Sequence, residues 1–369
     1  MTDAHITLAY SRDSGIVAIA GGEQYRWAHT ALEESGFRRG EAGVYCLAAD
    51  DPDASRTTVA GLIRCAERHR TSVSTSSRRF IGDAARDIAR LLPGQWKAQV
   101  EVYSHPMWQG DLVPWLWDSG ELGRAVQSCR IPYAATLTDT SGTTLLLVER
   151  PGQQLGYLVG AFVPEFLGEG YGDRHAPASI VLPPFPGRAA KAITERYLPA
   201  YDRAVHARRT TAVADALDRI RTEHDTWAAM VASGRYSDAT PLAIDALGAA
   251  TDQFLDDAWR EFLTVLVHAP ALLDRRGPTD THRPEDTDAL ARLAGALGDA
   301  ETVREELIAG TPLSRPERNT RTWSAIEAWI THGEPFLRQA RAAVPHQRPA
   351  LAVSAPPRPL PPGRPAPCR

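Results

Sequence analysis

The chain has 369 residues, of which 43% are hydrophobic and 23% charged, with a formal net charge of −4. That is the composition of an ordinary globular protein, long enough for two or three domains with sizeable cores. It excludes a membrane-spanning helix, because no apolar run approaches the roughly 20 residues a bilayer requires.

The opening MTDAHITLAYSRDSG lacks the basic-then-apolar pattern of a secretory leader. Cys46, Cys65, Cys129 and Cys368 are scattered without CxxC spacing. They read as reduced thiols, so a cytoplasmic location is the expectation. Among 41 basic residues only Lys97 and Lys191 are lysines. Neither lies in GxxxxGK[ST] or SxxK, which excludes a P-loop and leaves little room for a lysine nucleophile.

In chain order, ITLAY and GIVAIAG read as strands around the turn-forming SRDS. YRWAHTALEESG follows as a helix, with Trp27, Ala28 and Leu32 on its apolar face and Gly36 at its end. GVYCLAA is a strand. SRTTVAGLIRCAERHR is a helix with Ser55 as N-cap and Val59, Leu62 and Ile63 on one face, and TSVSTSS closes a small βαβ-like module.

Within that module the layout ALEESGFRRGEAGVYCL, a helix, then Gly-Phe-Arg, then a short strand, resembles small modules in actinomycete proteins of mobile elements and plasmids. It is also distantly similar to the DNA-annealing module of HARP-type helicases. Phe37 and Tyr45 are the nearest matches to the tryptophans of those modules. The resemblance covers about a fifth of the chain and implies work on nucleic acid.

RRFIGDAARDIARLL forms an amphipathic helix, with Phe80, Ile81, Ala84, Ile88 and Leu91 at helical spacing and Pro93-Gly94 as its stop. AQVEVY is a strand. The stretch YSHPMWQGDLVPWLWDSG, residues 103–120, then concentrates three of the nine tryptophans around two prolines. Its plainer reading is a core-sealing connection; the other is a pocket where His105, Asp111 and Asp118 converge, with Glu121 beside them. SGELGRAVQSC is a short helix. IPYAATLTD, TTLLLVER and LGYLVGAFV form an antiparallel meander. LGEGYGD is a loop, SIVLPPF a strand, and PGRAAKAITERYLPAYDRAVHARR a helix.

Beyond residue 209 helical stripes dominate: Val213, Leu217, Ile220, His224, Trp227 and Met230; Phe254, Leu255, Trp259, Phe262, Leu263 and Leu266; then Trp323, Ile326, Ile330, Leu337 and Ala340, interrupted by Gly333. PTDTHRPEDTD reads as a polar linker. From Pro345 the chain is Pro-rich and lacks acids, a composition that predicts disorder.

Charge is blocked. Residues 64–97 carry eight basic and three acidic side chains, 223–313 seven and seventeen, and 314–369 nine and three. The first block suits a phosphate backbone, with Arg78, Arg79, Arg86 and Arg90 as the expected nucleic-acid contacts. A solvated helix face, with Asp83 and Asp87 as local partners, is the plainer reading. The acidic block and the tail, whose RPLPPGRP resembles a polyproline ligand, suit a protein partner.

Other motifs are weaker. Gly168, Gly170 and Gly172 lack the following helix that a dinucleotide site needs. Cys65 and His69 have zinc-ligand spacing but no second pair. Asp139 and Glu149 are arranged like the acids of restriction-type nucleases, yet Arg150-Pro151 occupies the lysine position. No GxSxG or HExxH occurs. No metal or cofactor is expected.

The reading is therefore an α+β N-terminal half, a βαβ-like module plus an antiparallel meander, followed by an all-α half and a disordered Pro/Arg-rich tail. The expected segments are 1–95, 96–209, 210–345 and 346–369. The expected function is a non-enzymatic, cytosolic, mobile-element-linked accessory protein that binds nucleic acid through 64–97 and touches no membrane. The alternatives are an interaction scaffold using 223–313 and the tail, and an enzyme centred on 103–120.

Overall fold

The computed structural model describes residues 4–40, 43–236, 238–274, 284–310 and 314–343. The expected disordered tail, 346–369, and most of the expected linker at 278–288 lie outside them. The chain divides into two compact units, one running to Pro199 and the other starting at Ala200. The expected boundary at residue 95 falls inside the first unit, between two elements that pack together, and the one at 209 falls inside a helix. The first unit holds two sheets and the second is helical, so the α+β half followed by an all-α half is the fold.

In the first unit β1 (His5–Ser11) and β2 (Gly15–Gly21) form a hairpin. Its turn needs glycine at position 15, where φ is +72° and a Cβ would meet Leu47 O at 2.5 Å. After α1 (Tyr25–Glu34) come the two-residue β3 (Arg38–Arg39) and β4 (Tyr45–Leu47), then α2 (Pro52–Arg68) and β5 (Ser72–Thr75). The sheet order is β3-β4-β2-β1-β5, antiparallel except for β1 beside β5. Ile6, Leu8, Ala18 and Ala20 meet Ala31, Leu32 and Leu62 from the two helices.

Two details of the sequence reading change. Trp27 is 40% exposed, because the buried face of α1 runs through Ala28, Ala31 and Leu32. The cap of α2 is Asp51, whose Oδ1 accepts from the Asp53 and Ala54 amides with Pro52 in the first turn. Ser55 lies inside the helix and donates to Ala48 O.

The second sheet follows α3 (Ile81–Leu91). It comprises β6 (Trp96–Val102), β7 (Leu116–Trp117), β8 (Tyr133–Asp139), β9 (Thr144–Glu149), β10 (Tyr157–Phe162) and β11 (Ile180–Leu182), all antiparallel. Its order is β11-β10-β9-β8-β6, with β7 beside β10, so the expected meander is present. One face is covered by α5 (Glu121–Ser128), on which the short α4 (Pro106–Gly110) packs: Leu122 of α5 and Leu116 of β7 meet Leu146, Val148 and Leu158. α3 covers the other, where Leu137, Leu145 and Leu147 alternate with those residues. Cover on both faces explains why TTLLLVER reads as an unbroken apolar run. Leu91, expected in the core, is 55% exposed, since Ile81, Ala84, Ala85 and Ile88 fill the buried stripe.

A buried carboxylate joins the sheets. Asp83, 2% exposed on α3, accepts from Ser11 Oγ at 2.9 Å and from the Arg12 amide at 2.8 Å in the β1–β2 turn. At the other end of β2 the Gly22 amide donates to Ser104 O at 2.9 Å.

After α6 (Pro186–Ala192) a π-turn at Ile193–Tyr197 leads into α7 (Leu198–Ser233). The second unit adds α8 (Ile244–Asp274), α9 (Pro284–Ile308) and α10 (Arg315–Ala342). Its core joins Leu217, Ile220, Phe254 and Phe262 to Trp329 and Phe336. Gly333 does not interrupt α10; it lets the helix approach α7, where a Cβ would meet Leu217 Cδ1 at 2.7 Å.

His268 is buried in this unit, and burial together with the charges of Arg209 and Arg208 pushes its pKa down to about 4 from 6.5. As pH falls the unfolded chain takes up that proton first, so stability is full above pH 6.5 and is lost toward pH 4. Urea unfolding across this range should show a decline of up to about 3 kcal/mol, and His268→Gln should flatten it.

Candidate functional site

The four arginines expected to contact nucleic acid, Arg78, Arg79, Arg86 and Arg90, meet carboxylates. Arg78 lies 3.5 Å from Glu149 and donates to Arg150 O, with only 19% of its side chain exposed. Arg79 and Arg90 both reach Asp87, at 2.5 and 3.2 Å. Arg86 bridges Asp83 and Asp13 at 2.5 and 3.1 Å, and Arg12 adds a further bond to Asp87. Burial acts to raise the Asp87 pKa, but the bonds from Arg79 and Arg12 outweigh it and hold the carboxyl below its ordinary range. A net excess of positive charge in the sequence becomes, in three dimensions, a network of ion pairs around Asp13, Asp83, Asp87 and Glu149.

The Trp-rich stretch separates its own polar residues. Asp118 is a structural staple: its carboxylate accepts from the Ser179 amide at 2.5 Å, the Gly123 amide at 2.6 Å and Ser179 Oγ at 3.1 Å. Glu121 forms a two-pronged bond with Arg150, Nε to Oε1 at 2.8 Å and Nη2 to Oε2 at 3.1 Å. His105 caps α4, its Nδ1 accepting from the Met107 amide. Asp111 closes the same short helix, its side chain in solvent. His105 and Asp111 share one cavity; Asp118 and Glu121 do not line it. The tryptophans divide likewise. Trp117 is fully buried and pairs with Ala161 in the sheet, whereas Trp108 and Trp115 are 43% and 56% exposed.

Two side chains, the buried Gln109 and the partly exposed Arg130, hold this turn in place. Gln109 donates to Val126 O and Cys129 O and accepts from the Ile131 amide. Arg130 donates to Tyr103 O, Ser104 O and Gln109 Oε1, with no carboxylate within 4.0 Å among the described residues. Burial lowers its pKa, but a guanidinium remains charged.

The best-formed site lies where this turn faces α1. Tyr25, Arg26, His29 and Glu33 fall on one side of that helix, beside its core stripe. A cavity of about 610 Å³ is lined by them together with Arg39 and Trp108. A second, of about 490 Å³, is lined by Tyr25, Arg26, His105, Trp108 and Asp111. The two share Tyr25, Arg26 and Trp108 and form one groove. Tyr25 sits edge-on to His29, Trp108 and His105, with ring centroids 5.3, 5.0 and 6.0 Å away. Arg26 and Arg39 have no carboxylate within salt-bridge distance among the described residues.

In the groove wall Tyr45 Oη donates to Glu33 Oε1 at 2.7 Å, and His29 Nδ1 lies 3.0 Å from the same Oη. Burial and the Glu33 carboxylate raise the Tyr45 pKa, so the phenol keeps its proton. Burial, helped by Arg39, lowers that of His29 and leaves its imidazole neutral at pH 7. His29 Nε2 is buried and makes no hydrogen bond.

Tyr25, Arg26, His29 and Glu33 did not enter the sequence reading as functional. The available signal was the i, i+4, i+8 spacing of Tyr25, His29 and Glu33, which gives a helix with one packed face a second, chemically dense one.

The remaining motifs stay apart. Asp139 caps its own turn through Ser141 and Thr143. Glu149 stands at the other end of the β8–β9 hairpin, about 20 Å away at strand rise, beside Tyr133 and Arg78. His69 pairs with Glu34 and Cys65 accepts from Arg68. Among the described residues no group of three or more His, Cys, Asp or Glu is placed to hold a metal ion, and no helix is long and apolar enough to cross a membrane. No protein-family model, curated protein or solved structure matches the chain.

The separation of the 103–120 polar residues is open to a stability measurement. Asp118→Ala should lower the unfolding free energy by about 2–3 kcal/mol in urea melts. Asp111→Ala should change it by less than about 0.5 kcal/mol.

Proposed function

We propose that this is a non-enzymatic, nucleic-acid-binding accessory protein, of the mobile-element-linked kind that its 31–47 layout resembles, and that it binds through the groove between α1 and the 103–111 turn. The observation that carries the proposal is the contrast between two sets of arginines. Arg78, Arg79, Arg86 and Arg90 are committed to carboxylates. Arg26 and Arg39 are exposed, lack such partners, and share a groove with Tyr25 and the half-exposed Trp108. An arginine already paired must give up its bond to meet a phosphate; an unpaired one gains the full charge-assisted contact. Aromatic rings beside such arginines offer the stacking surface that bases use.

The acidic helical block supports the scaffold reading less well. Asp252, Asp256 and Glu306 meet Arg315, Arg318 and Arg321 of α10, and Glu261 meets Arg219 of α7. These acids tie helices of one unit to each other.

Fluorescence anisotropy with a labelled ~20-nucleotide strand, and with its duplex, tests the proposal across about 50–200 mM salt. Arg26→Gln with Arg39→Gln should weaken binding about tenfold at low salt and flatten the log–log salt slope by about 2. Arg79→Gln with Arg90→Gln should stay within about twofold of the parent protein. No binding by the parent at low salt removes the proposal, and the larger effect from the second pair returns the interface to α3.

A further inference from the structure

The hydrogen-bond directions around Tyr45 fix where the proton of His29 sits. A phenol has one proton, and Tyr45 gives it to Glu33. The contact between His29 Nδ1 and Tyr45 Oη, at 3.0 Å, is then a bond only if Nδ1 carries the hydrogen. The neutral ring therefore bears its proton on Nδ1, and Nε2 is left as a bare lone pair. That atom is buried and makes no hydrogen bond. An unpaired buried acceptor is costly, and its retention calls for a reason.

No hydroxyl or thiol is bonded to Nε2 among the described residues, so it is not the base of a nucleophilic pair. Its surroundings suit recognition. The ring lies in the cavity wall with Arg26 and Arg39, and the aromatic edges of Tyr25 and Tyr45 pack on it at 5.3 Å each. Tyr25, whose ring edge packs on His29, lines both cavities, so it is the side chain whose rotation a ligand at Nε2 would require.

We propose that His29 Nε2, held in its acceptor form by the Glu33–Tyr45 pair, receives a hydrogen bond from the Watson–Crick edge of an unpaired nucleobase stacked at Tyr25 and Trp108. This rests on the nucleic-acid reading above and narrows it. In a duplex the amino and imino donors of that edge are engaged by the opposite strand, so the ligand is single-stranded nucleic acid. Arg26 and Arg39 hold its phosphates, and His29 senses whether a base with a donor is present.

The test uses the full-length protein and two labelled strands of equal length, oligo(dA) and the same strand built from 2′-deoxypurine riboside, which lacks the exocyclic amino group. The parent protein should bind oligo(dA) about 5–10-fold more tightly. Tyr45→Phe removes the acceptor that keeps the proton on Nδ1, and His29→Phe removes the lone pair. Each should bring the two strands within about twofold of each other and leave the salt slope unchanged. Long-range ¹⁵N–¹H spectra of the parent protein, which need no variant, should show the His29 proton on Nδ1.

Equal affinity of the parent for both strands, or a His29 proton on Nε2, overturns the inference while the arginine groove stands. Failure of the parent to bind either strand overturns the nucleic-acid reading and the inference with it.

Discussion

The arrangement of the first unit depends on one buried carboxylate. Asp83 takes a hydroxyl and an amide from the turn of the first sheet while it sits on the helix that covers the second. A charge removed from water is tolerable only when its lone pairs are filled, and here Arg86 supplies the remaining partner. With the amide of Gly22 bound to Ser104, the two sheets are fixed at both ends of β2. The start of α1 is thereby held against the Trp-rich turn, and the groove exists because those two attachments set its width.

The same network explains what became of the positive block. Helix α3 packs its apolar stripe on the second sheet and turns its charged side toward the β1–β2 turn. Asp13 at that turn and Asp87 one helical turn beyond Asp83 draw in Arg12, Arg79, Arg86 and Arg90. Counting charges along a chain treats each arginine as available. Folding decides which of them keep that availability; Arg26 and Arg39, which the count never singled out, keep it inside a groove.

Much of the fold was legible in the sequence for local reasons. The strands of the two hairpins alternate or run apolar, α3 carries a clean stripe, and the helical half repeats at three and four. What escaped was set by partners far away in the chain. β3 and β7 are two residues each and exist only because β4 and β10 lie beside them. Trp115 and Trp117 look alike in sequence, yet only the second points into the core, because β7 is too short to carry a pattern. The groove was hidden for the same reason: Tyr45 lies 12 residues from Glu33 and 16 from His29, and Trp108 is further still. Asp118 and Glu121 were candidates only because they fall close together in sequence; their partners Ser179 and Arg150 were invisible to spacing.

The groove has walls from both sheets, with α1 on one side and the 103–111 turn on the other. Neither wall is a site by itself, so the pocket exists only while the sheets are docked. Anything that occupies it bridges them and adds its own binding free energy to the Asp83 and Gly22 attachments. Occupancy and docking are thus two views of one equilibrium. A chain whose sheets had come apart would lose any occupant of the groove, and an occupied groove would oppose that opening.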